Sequence, residues 1–154
     1  MPELPEVEVV RLGLAPAVTD AVVTRVEVFD ERGLTRHPAG AADFAAQLEG
    51  AVLAEPRRRG KFLWVPFAVD ASSAGVSRPV PRALMTHLGM SGQMLLREPG
   101  AVDDRHLRIR IGVDGPVGRF DIAFVDQRTF GSLAVDPLVA TPDVADELVP
   151  SQAL

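Results

Sequence analysis

Residues 105–126 have the sequence RHLRIRIGVDGPVGRFDIAFVD, which contains the clearest secondary-structure pattern in the chain. Apolar and polar residues alternate on both sides of the central Asp114-Gly115-Pro116. Alternation with a period of two is typical of a strand with one buried face, and a Gly-Pro pair between two such runs is typical of a turn. The stretch therefore predicts two adjacent antiparallel strands.

Shorter runs of the same kind predict a mainly β protein with two helices. Apolar residues at spacings of three and four predict one helix over 5–15, and Asp43 is the predicted N-cap of another over 43–49. Short strands at regular spacing are typical of a β-sandwich or a flattened barrel. The predicted strands are 22–29, 51–58, 61–67, 82–88, 93–97, 105–113, 118–126 and 131–135.

The tail from Asp136 onward is acidic and interrupted by prolines. Such a segment is predicted to be a linker or a terminal helix outside the sheet. The chain therefore divides into a predicted β domain over 1–135 and a linker or terminal helix over 136–154.

The composition is that of one globular domain. The chain has 154 residues, of which 47% are apolar and 24% charged. It can therefore bury an ordinary core without cross-links. Because the sequence contains no cysteine, disulfides, a thiol nucleophile and cysteine-ligated zinc are excluded within it.

Charge and hydropathy limit which partners the chain is expected to bind and in which cellular compartment it is expected to lie. The formal net charge of −5 argues, taken alone, against nucleic acid as a partner. No apolar run approaches the roughly 20 residues that span a membrane. The start of the chain is acidic and is not followed by an apolar block, unlike a signal peptide. The chain is therefore expected to be cytoplasmic.

The chain begins Met1-Pro2-Glu3, and a residue as small as proline usually permits removal of the initiator methionine. Pro2 would then carry a secondary α-amine. Such a group has a pKa of about 7.7–8.0, so at neutral pH it attacks an electrophilic carbon far more readily than a lysine. Glu3 would lie beside it as a proton donor or acceptor. The simpler alternative is a start residue followed by a helix cap.

Four cations stand within five residues at Arg57–Lys61, directly before the apolar run Phe62–Val65. Clustered basic residues bind phosphates, and they also protect solvated edge strands. Lys61 is the only lysine among 16 basic residues, which favours a functional role slightly.

Residues 87–93 have the sequence HLGMSGQ, in which two glycines bracket Met90-Ser91 between predicted strands. This pattern predicts a hairpin turn. Met90 at its tip could act as an apolar wedge that unstacks bases, or could fold back onto the core. His87 could contact a phosphate, or could be structural.

Residues 126–131 have the sequence DQRTFG and follow the predicted strand 118–126. Arg128 and Phe130 are two residues apart, so both could project to one side of the chain end. The alternative is a turn with a buried phenylalanine and an arginine in a salt bridge.

Taken in order, these four motifs resemble the N-terminal domain of bacterial formamidopyrimidine-DNA glycosylase. The resemblance extends from Met1 to about Val135 and rests on PELPEVE, RRGK, HLGMSGQ and DQRTFG. The related endonuclease VIII family begins PEGPE and lacks the HLGMSG turn. Leu4 and Met90 therefore favour the formamidopyrimidine branch.

The resemblance implies a two-layer antiparallel β-sandwich of about eight strands flanked by two α-helices. It also implies a base-excision enzyme that removes oxidised purines such as 8-oxoguanine and formamidopyrimidine from double-stranded DNA. The enzyme then cleaves the strand by β,δ-elimination. A lesion must leave the base stack before its C1′ can be reached.

The same resemblance assigns the catalytic and phosphate-binding roles. Pro2 would attack C1′ and hold the sugar as a Schiff base, while Glu3 would handle protons at the sugar ring. Lys61, His87 and Arg128 would bind phosphates around the lesion, and Lys61 would also assist elimination.

Three residues would fill the gap left by the extrahelical nucleotide, namely Met90, Arg128 and Phe130. Phe130 would wedge between the opposite bases. Arg128 carries only donors and would suit the acceptors of an unpaired cytosine. His106 falls near a position where the family often has a DNA-contacting histidine.

The resemblance stops before the family's helix-two-turn-helix element and four-cysteine zinc finger. The chain is therefore expected to bind DNA weakly as a monomer, to have little glycosylase activity alone, and to contain no cofactor. Zinc is expected only in the absent C-terminal half. Two alternatives are a non-catalytic DNA-binding or interaction module with the same fold, and a plain β-sandwich with coincidental motifs.

Overall fold

The computed structural model describes residues 4–68, 81–89, 91–101, 105–127, 131–140 and 148–153. These residues form two α-helices, α1 (Leu4–Val18) and α2 (Ala41–Leu48), and two short 3₁₀ helices, Glu31–Leu34 and Ser151–Ala153. The ten strands found in these ranges are β1 Val22–Val28, β2 Val52–Leu53, β3 Arg57–Arg59, β4 Phe62–Ala68, β5 Arg82–His87, β6 Gly92–Arg97, β7 Leu107–Gly115, β8 Gly118–Asp126, β9 Ser132–Ala140 and β10 Leu148–Pro150. None of the described helices is long and apolar enough to cross a membrane.

All strand pairs are antiparallel and follow one hydrogen-bonded path. The order is β10-β9-β5-β4-β2-β1-β7-β8-β6, and β3 pairs with β4 outside this path. The hairpin predicted over 105–126 is present as β7–β8, which closes where Gly115 pairs with Gly118. Its alternation places Ile109, Ile111 and Val113 in the core.

The two halves of this path enclose one apolar core. Leu63 and Leu84 from one half join Ile111 and Phe124 from the other in a single buried cluster. Helix α1 contacts strands of both halves, namely β3 and β4 on one side and β6, β7 and β8 on the other. The predicted mainly antiparallel β fold with two flanking helices is therefore confirmed, with ten described strands in place of about eight.

A second, smaller cluster lies on the opposite face of β4, β5 and β9. Trp64, Met85 and Ala134 are buried there against Val149 of β10. Strand β10 therefore contributes to the apolar cluster on this face of the sheet.

The prediction that the sheet ends at Val135 is wrong. Strand β9 continues to Ala140, and β10 pairs with its second half. Pro137 does not interrupt β9, because Leu138 N–H donates to Pro81 O of the neighbouring segment and N–H directions alternate along a strand. The nitrogen of Pro137 therefore points toward the β10 side of β9. Because the β10 pairing stops at Leu138, proline costs the sheet no hydrogen bond at this position.

The predicted N-cap of the second helix is also wrong. Helix α2 begins at Ala41, and Gly40 precedes it with a φ of +93°. The Asp43 carboxylate instead bonds His37 Nε2 at 2.8 Å and Gln47 Nε2 at 2.7 Å. It therefore fixes His37 against the helix.

The predicted strand 51–58 is divided into β2 and β3, with Pro56 between them. Proline lacks the N–H that a continuous central strand requires. The division allows β3 to form a separate hairpin with the start of β4.

Candidate functional site

Lys61 and His87 lie beside each other at one end of the sheet. Lys61 is in the two-residue turn between β3 and β4, and His87 is the last residue of β5, paired with Phe62. Gly60 opens this turn with a φ of +58°, a conformation that favours glycine. Lys61 and His87 line one shallow surface depression together with Val7 of α1, Leu88 and Gly89.

The His87 ring is oriented by the backbone that follows it. Gly89 N–H donates to His87 Nδ1 at 3.2 Å, so the neutral ring carries its proton on Nε2 and can donate it outward. Partial burial, followed by the positive charges of Arg36 and Lys61, lowers the pKa of His87 from its usual 6.5. The side chain is therefore a neutral donor in a basic environment at neutral pH.

Part of the basic strip Arg57–Lys61 is used to attach α1 to β3. Glu8 accepts hydrogen bonds from Arg11 at 2.6 and 2.7 Å and from Arg58 at 3.3 Å. The bond from Arg11, followed by that from Arg58, lowers the pKa of Glu8 to about 2. The Arg58 guanidinium therefore contacts α1, a role that neither the phosphate-binding nor the edge-strand interpretation of the strip included.

Asp126 joins the two turns that follow β5 and β8. Its carboxylate is fully buried, and it accepts a hydrogen bond from Ser91 Oγ at 2.6 Å and another from Gly131 N at 2.7 Å. Its backbone oxygen accepts from Arg108 Nε at 2.9 Å. Ser91 follows Met90, and Gly131 follows Phe130, so one carboxylate anchors both motifs.

The two turns also approach each other through their backbones. A Cβ atom added at Gly131 would lie 2.8 Å from His87 O and 2.9 Å from Leu88 O. One added at Gly92 would lie 2.4 Å from Leu88 O, to which Gly92 N–H already donates at 2.8 Å. Glycine is therefore required at both positions by close packing.

His106 lies next to the same region. Its backbone oxygen accepts a hydrogen bond from Asp126 N at 3.1 Å, and its Nε2 accepts one from Arg105 Nε at 3.3 Å. The structure therefore brings His106 close to the turn after β8.

The other predicted site residues lie outside the described part of the chain. These are the predicted catalytic pair and the three predicted base-contacting residues: Pro2, Glu3, Met90, Arg128 and Phe130. Their roles remain predictions. Within the described ranges, no group of three or more histidine, aspartate or glutamate side chains is placed to hold a metal ion.

Sequence reasoning missed Asp126 as a site residue, although it begins the quoted DQRTFG motif. A buried acid at the end of an apolar strand is a recognisable sign, because such a group needs hydrogen-bond donors. The sequence could not show that Ser91, 35 residues away, supplies one of them.

The fold and this cluster define a class: a helix-flanked antiparallel β-sandwich with a basic cluster at one end of its sheet. Comparison with known proteins is more specific. The family model described as "Formamidopyrimidine-DNA glycosylase N-terminal domain" matches residues 1–133. The chain belongs to this family.

Curated relatives carry the same name. A formamidopyrimidine-DNA glycosylase from Leifsonia xyli is 54% identical over 147 residues, which are 94% of this chain and 46% of that protein. One from Rhodococcus jostii is 47% identical over 150 residues, or 97% of this chain and 46% of the relative. The chain spans about half the length of the curated relatives it matches.

Solved structures agree with the fold. Lactococcus lactis formamidopyrimidine-DNA glycosylase, bound non-covalently to DNA with an abasic site, matches with a TM-score of 0.72 and 24% identity, over 88% of this chain and 45% of that one. A MutM structure with DNA containing carbocyclic 8-oxoguanine matches with the same TM-score, identity and coverage.

Proposed function

We propose that this chain is the catalytic N-terminal domain of a base-excision DNA glycosylase and abasic-site lyase. The proposed substrate is double-stranded DNA containing an oxidised purine, such as 8-oxoguanine or a formamidopyrimidine. The single observation that best supports this is that Lys61 and His87 lie together beside Val7 of α1. Pro2 precedes Val7 by five residues, so the chain connecting them reaches at most about 18 Å.

The proposed chemistry begins with Pro2. Once Met1 is removed, the secondary amine attacks C1′ of the lesion nucleotide, the base leaves with a proton, and the opened sugar is held as an iminium. Glu3 transfers protons at the sugar ring. Successive β- and δ-elimination break the 3′ and 5′ C–O bonds, and hydrolysis releases the proline.

The proposed DNA contacts surround that reaction. Lys61 and His87 bind phosphates of the lesion strand, and Lys61 also assists elimination. The Nε2–H of neutral His87 is a suitable phosphate donor because Nδ1 is already occupied by Gly89. Arg128 binds phosphate and faces the unpaired cytosine.

The remaining contacts would hold the duplex open. Met90 and Phe130 occupy the space of the extrahelical nucleotide together with Arg128. His106 contacts DNA beside the turn after β8.

We propose that a C-terminal half of the protein is needed to complete this function. The curated relatives are about twice as long, and the proposed partner of this domain is a C-terminal half with a zinc finger. The domain itself contains no cysteine and needs no cofactor for imine formation. We propose that it is a cytoplasmic, nucleoid-associated monomer with little glycosylase activity by itself.

Borohydride trapping tests the proposed nucleophile. The chain is prepared with Met1 removed and, as a matched control, with Met1 retained, and intact mass verifies each form. Incubation with an abasic-site duplex and borohydride should give a weak covalent adduct at residue 2 only when Met1 is absent, because an acylated proline nitrogen cannot form an imine. An adduct on the processed form that peptide mass mapping places at a residue other than Pro2 would show that Pro2 is not the nucleophile.

A second duplex tests the expected weakness of the domain. With 8-oxoguanine in place of the abasic site, trapping should be barely detectable, because the base must first be extruded and removed. Efficient trapping on this duplex by the 154 residues would overturn the claim that a further half is required.

A further inference from the structure

Arg36 lies against Phe62 and close to His87, although it is remote from both in sequence. Its guanidinium carbon is 5.5 Å from the centroid of the Phe62 ring. The edge of that ring faces the His87 ring, with 5.1 Å between the two centroids. The Arg36 guanidinium and the His87 ring therefore both contact one aromatic ring, and Phe62 directly follows Lys61 in the chain.

The backbone at Arg36 is held in place while its side chain is exposed. The next residue, His37, is buried and bonds Asp43 through Nε2, while its Nδ1 accepts a hydrogen bond from Val135 N at 3.1 Å. Arg36 O accepts a hydrogen bond from Gln152 Nε2 at 3.0 Å. The guanidinium is therefore presented from a fixed position and is oriented by the Phe62 face, which lowers the entropy cost of binding a ligand.

The charge of Arg36 is not neutralised by an acid in the described ranges. Most arginines there pair with a carboxylate, namely Arg11, Arg25, Arg32, Arg58, Arg108, Arg110 and Arg119. Arg36 instead faces His87, whose pKa its charge helps to lower. An anion placed between these side chains would therefore meet the positive charge of Arg36 and the Nε2–H donor of His87.

We infer that Arg36 is a third phosphate-binding residue, which holds one phosphodiester of the DNA strand together with Lys61 and His87. This inference rests on the proposed function. A guanidinium binds two phosphate oxygens through parallel N–H bonds, which neither a lysine nor a histidine can do. The contact with the Phe62 ring holds that pair of donors near His87.

Salt-dependent DNA binding tests the inference. Binding of the Met1-processed chain to a short duplex with a tetrahydrofuran abasic-site analogue is measured by fluorescence anisotropy over a range of NaCl concentrations. Arg36→Gln should weaken binding by about tenfold and reduce the slope of log K against log salt by about 0.9. Arg36→Lys should keep the slope with an intermediate affinity, because the charge stays and the paired donors are lost.

Arg119→Gln is the matched control, since Arg119 is an exposed arginine at the far hairpin of β8, paired with Asp114 at 3.4 Å. It should leave affinity and slope unchanged. If Arg36→Gln behaves like Arg119→Gln while the parent chain binds with a steep salt dependence, the inference is wrong and the proposed function stands. If the parent chain shows no salt-dependent binding, both are wrong.

NMR titration of the free protein gives a readout that does not depend on DNA. Arg36→Gln should raise the pKa of His87, and by more than Lys61→Gln does, because the Arg36 charge has the larger effect on that ring. Unchanged titration would contradict the proximity on which the inference depends.

The NMR signals of His87 and of the Arg36 side chain should also shift on addition of micromolar duplex. Inorganic phosphate should shift them only at a much higher concentration. A response to inorganic phosphate with none to the duplex would assign a free-phosphate site and overturn the inference.

Discussion

At the scale of single residues, Asp126 has the largest structural effect on the candidate site. It is a buried carboxylate whose two oxygens bond groups in different turns, Ser91 and Gly131. Burying a charge is costly unless donors surround it, so this arrangement is stable only while both turns keep their positions. The proposed base-contacting residues Met90 and Phe130 each stand next to one of those partners.

Asp126→Asn should therefore destabilise the domain by about 1–3 kcal/mol, because the amide nitrogen would face a donor and leave one hydrogen bond unmade. Urea unfolding followed by Trp64 fluorescence measures the change. Asp114→Asn is the control, since Asp114 forms only an exposed ion pair with Arg119 and its loss should change stability by less than about 0.5 kcal/mol. Equal effects of the two substitutions would refute the anchoring role.

At the scale of secondary-structure elements, the turn between β5 and β6 and helix α1 place the site. The turn is compact because Gly89 adopts a φ of +62° and Gly92 touches the Leu88 carbonyl. Helix α1 is held through Val7 in the core and Glu8 against Arg58. The two elements meet at the surface depression that Lys61 and His87 also line.

A pair of glycine substitutions separates close packing from helix propensity. Gly92→Ala should destabilise the domain by about 1–3 kcal/mol, since its Cβ would collide with backbone that cannot move independently. Gly13→Ala, at an exposed position inside α1 with no atom within 4 Å of the added Cβ, should stabilise it by about 0.5–1 kcal/mol. Urea midpoints that move in the same direction for both would contradict this account.

At the scale of the whole molecule, the sheet has an apolar cluster on each face, and the last described strand covers the smaller one. Val149 of β10 is fully buried against Trp64 and Met85, and Asp136 accepts hydrogen bonds from Ser151 Oγ and Gln152 N. The segment 148–153 is therefore part of the folded domain.

Truncation of β10 side chains tests this conclusion. Val149→Ala should lower the free energy of unfolding by about 2 kcal/mol, because it removes two buried methyl groups and leaves a gap. Leu148→Ala, at a neighbouring side chain that is 42% exposed, should cost less than about 1 kcal/mol. If chemical denaturation shows no difference between the two, β10 does not contribute to the core as described.

The distribution of charge is also a property of the whole molecule. The chain has a net charge of −5, yet the positive charges of Arg36 and Lys61 both act on His87 at one end of the sheet. Local arrangement, and not net charge, therefore decides whether an anion can approach this end of the sheet.

The sequence by itself determined the antiparallel β class, both helices, most strand positions and the family, because alternation, turn residues and short motifs are local properties. It placed the end of the sheet at Val135 and assigned Asp43 to a cap, since neither the pairing of β10 with β9 nor the His37 contact is local. Only the tertiary structure brought Arg36 to Phe62 and His87, and Ser91 to Asp126. These contacts join segments far apart in the chain, and their positions depend on how the sheet folds around its core.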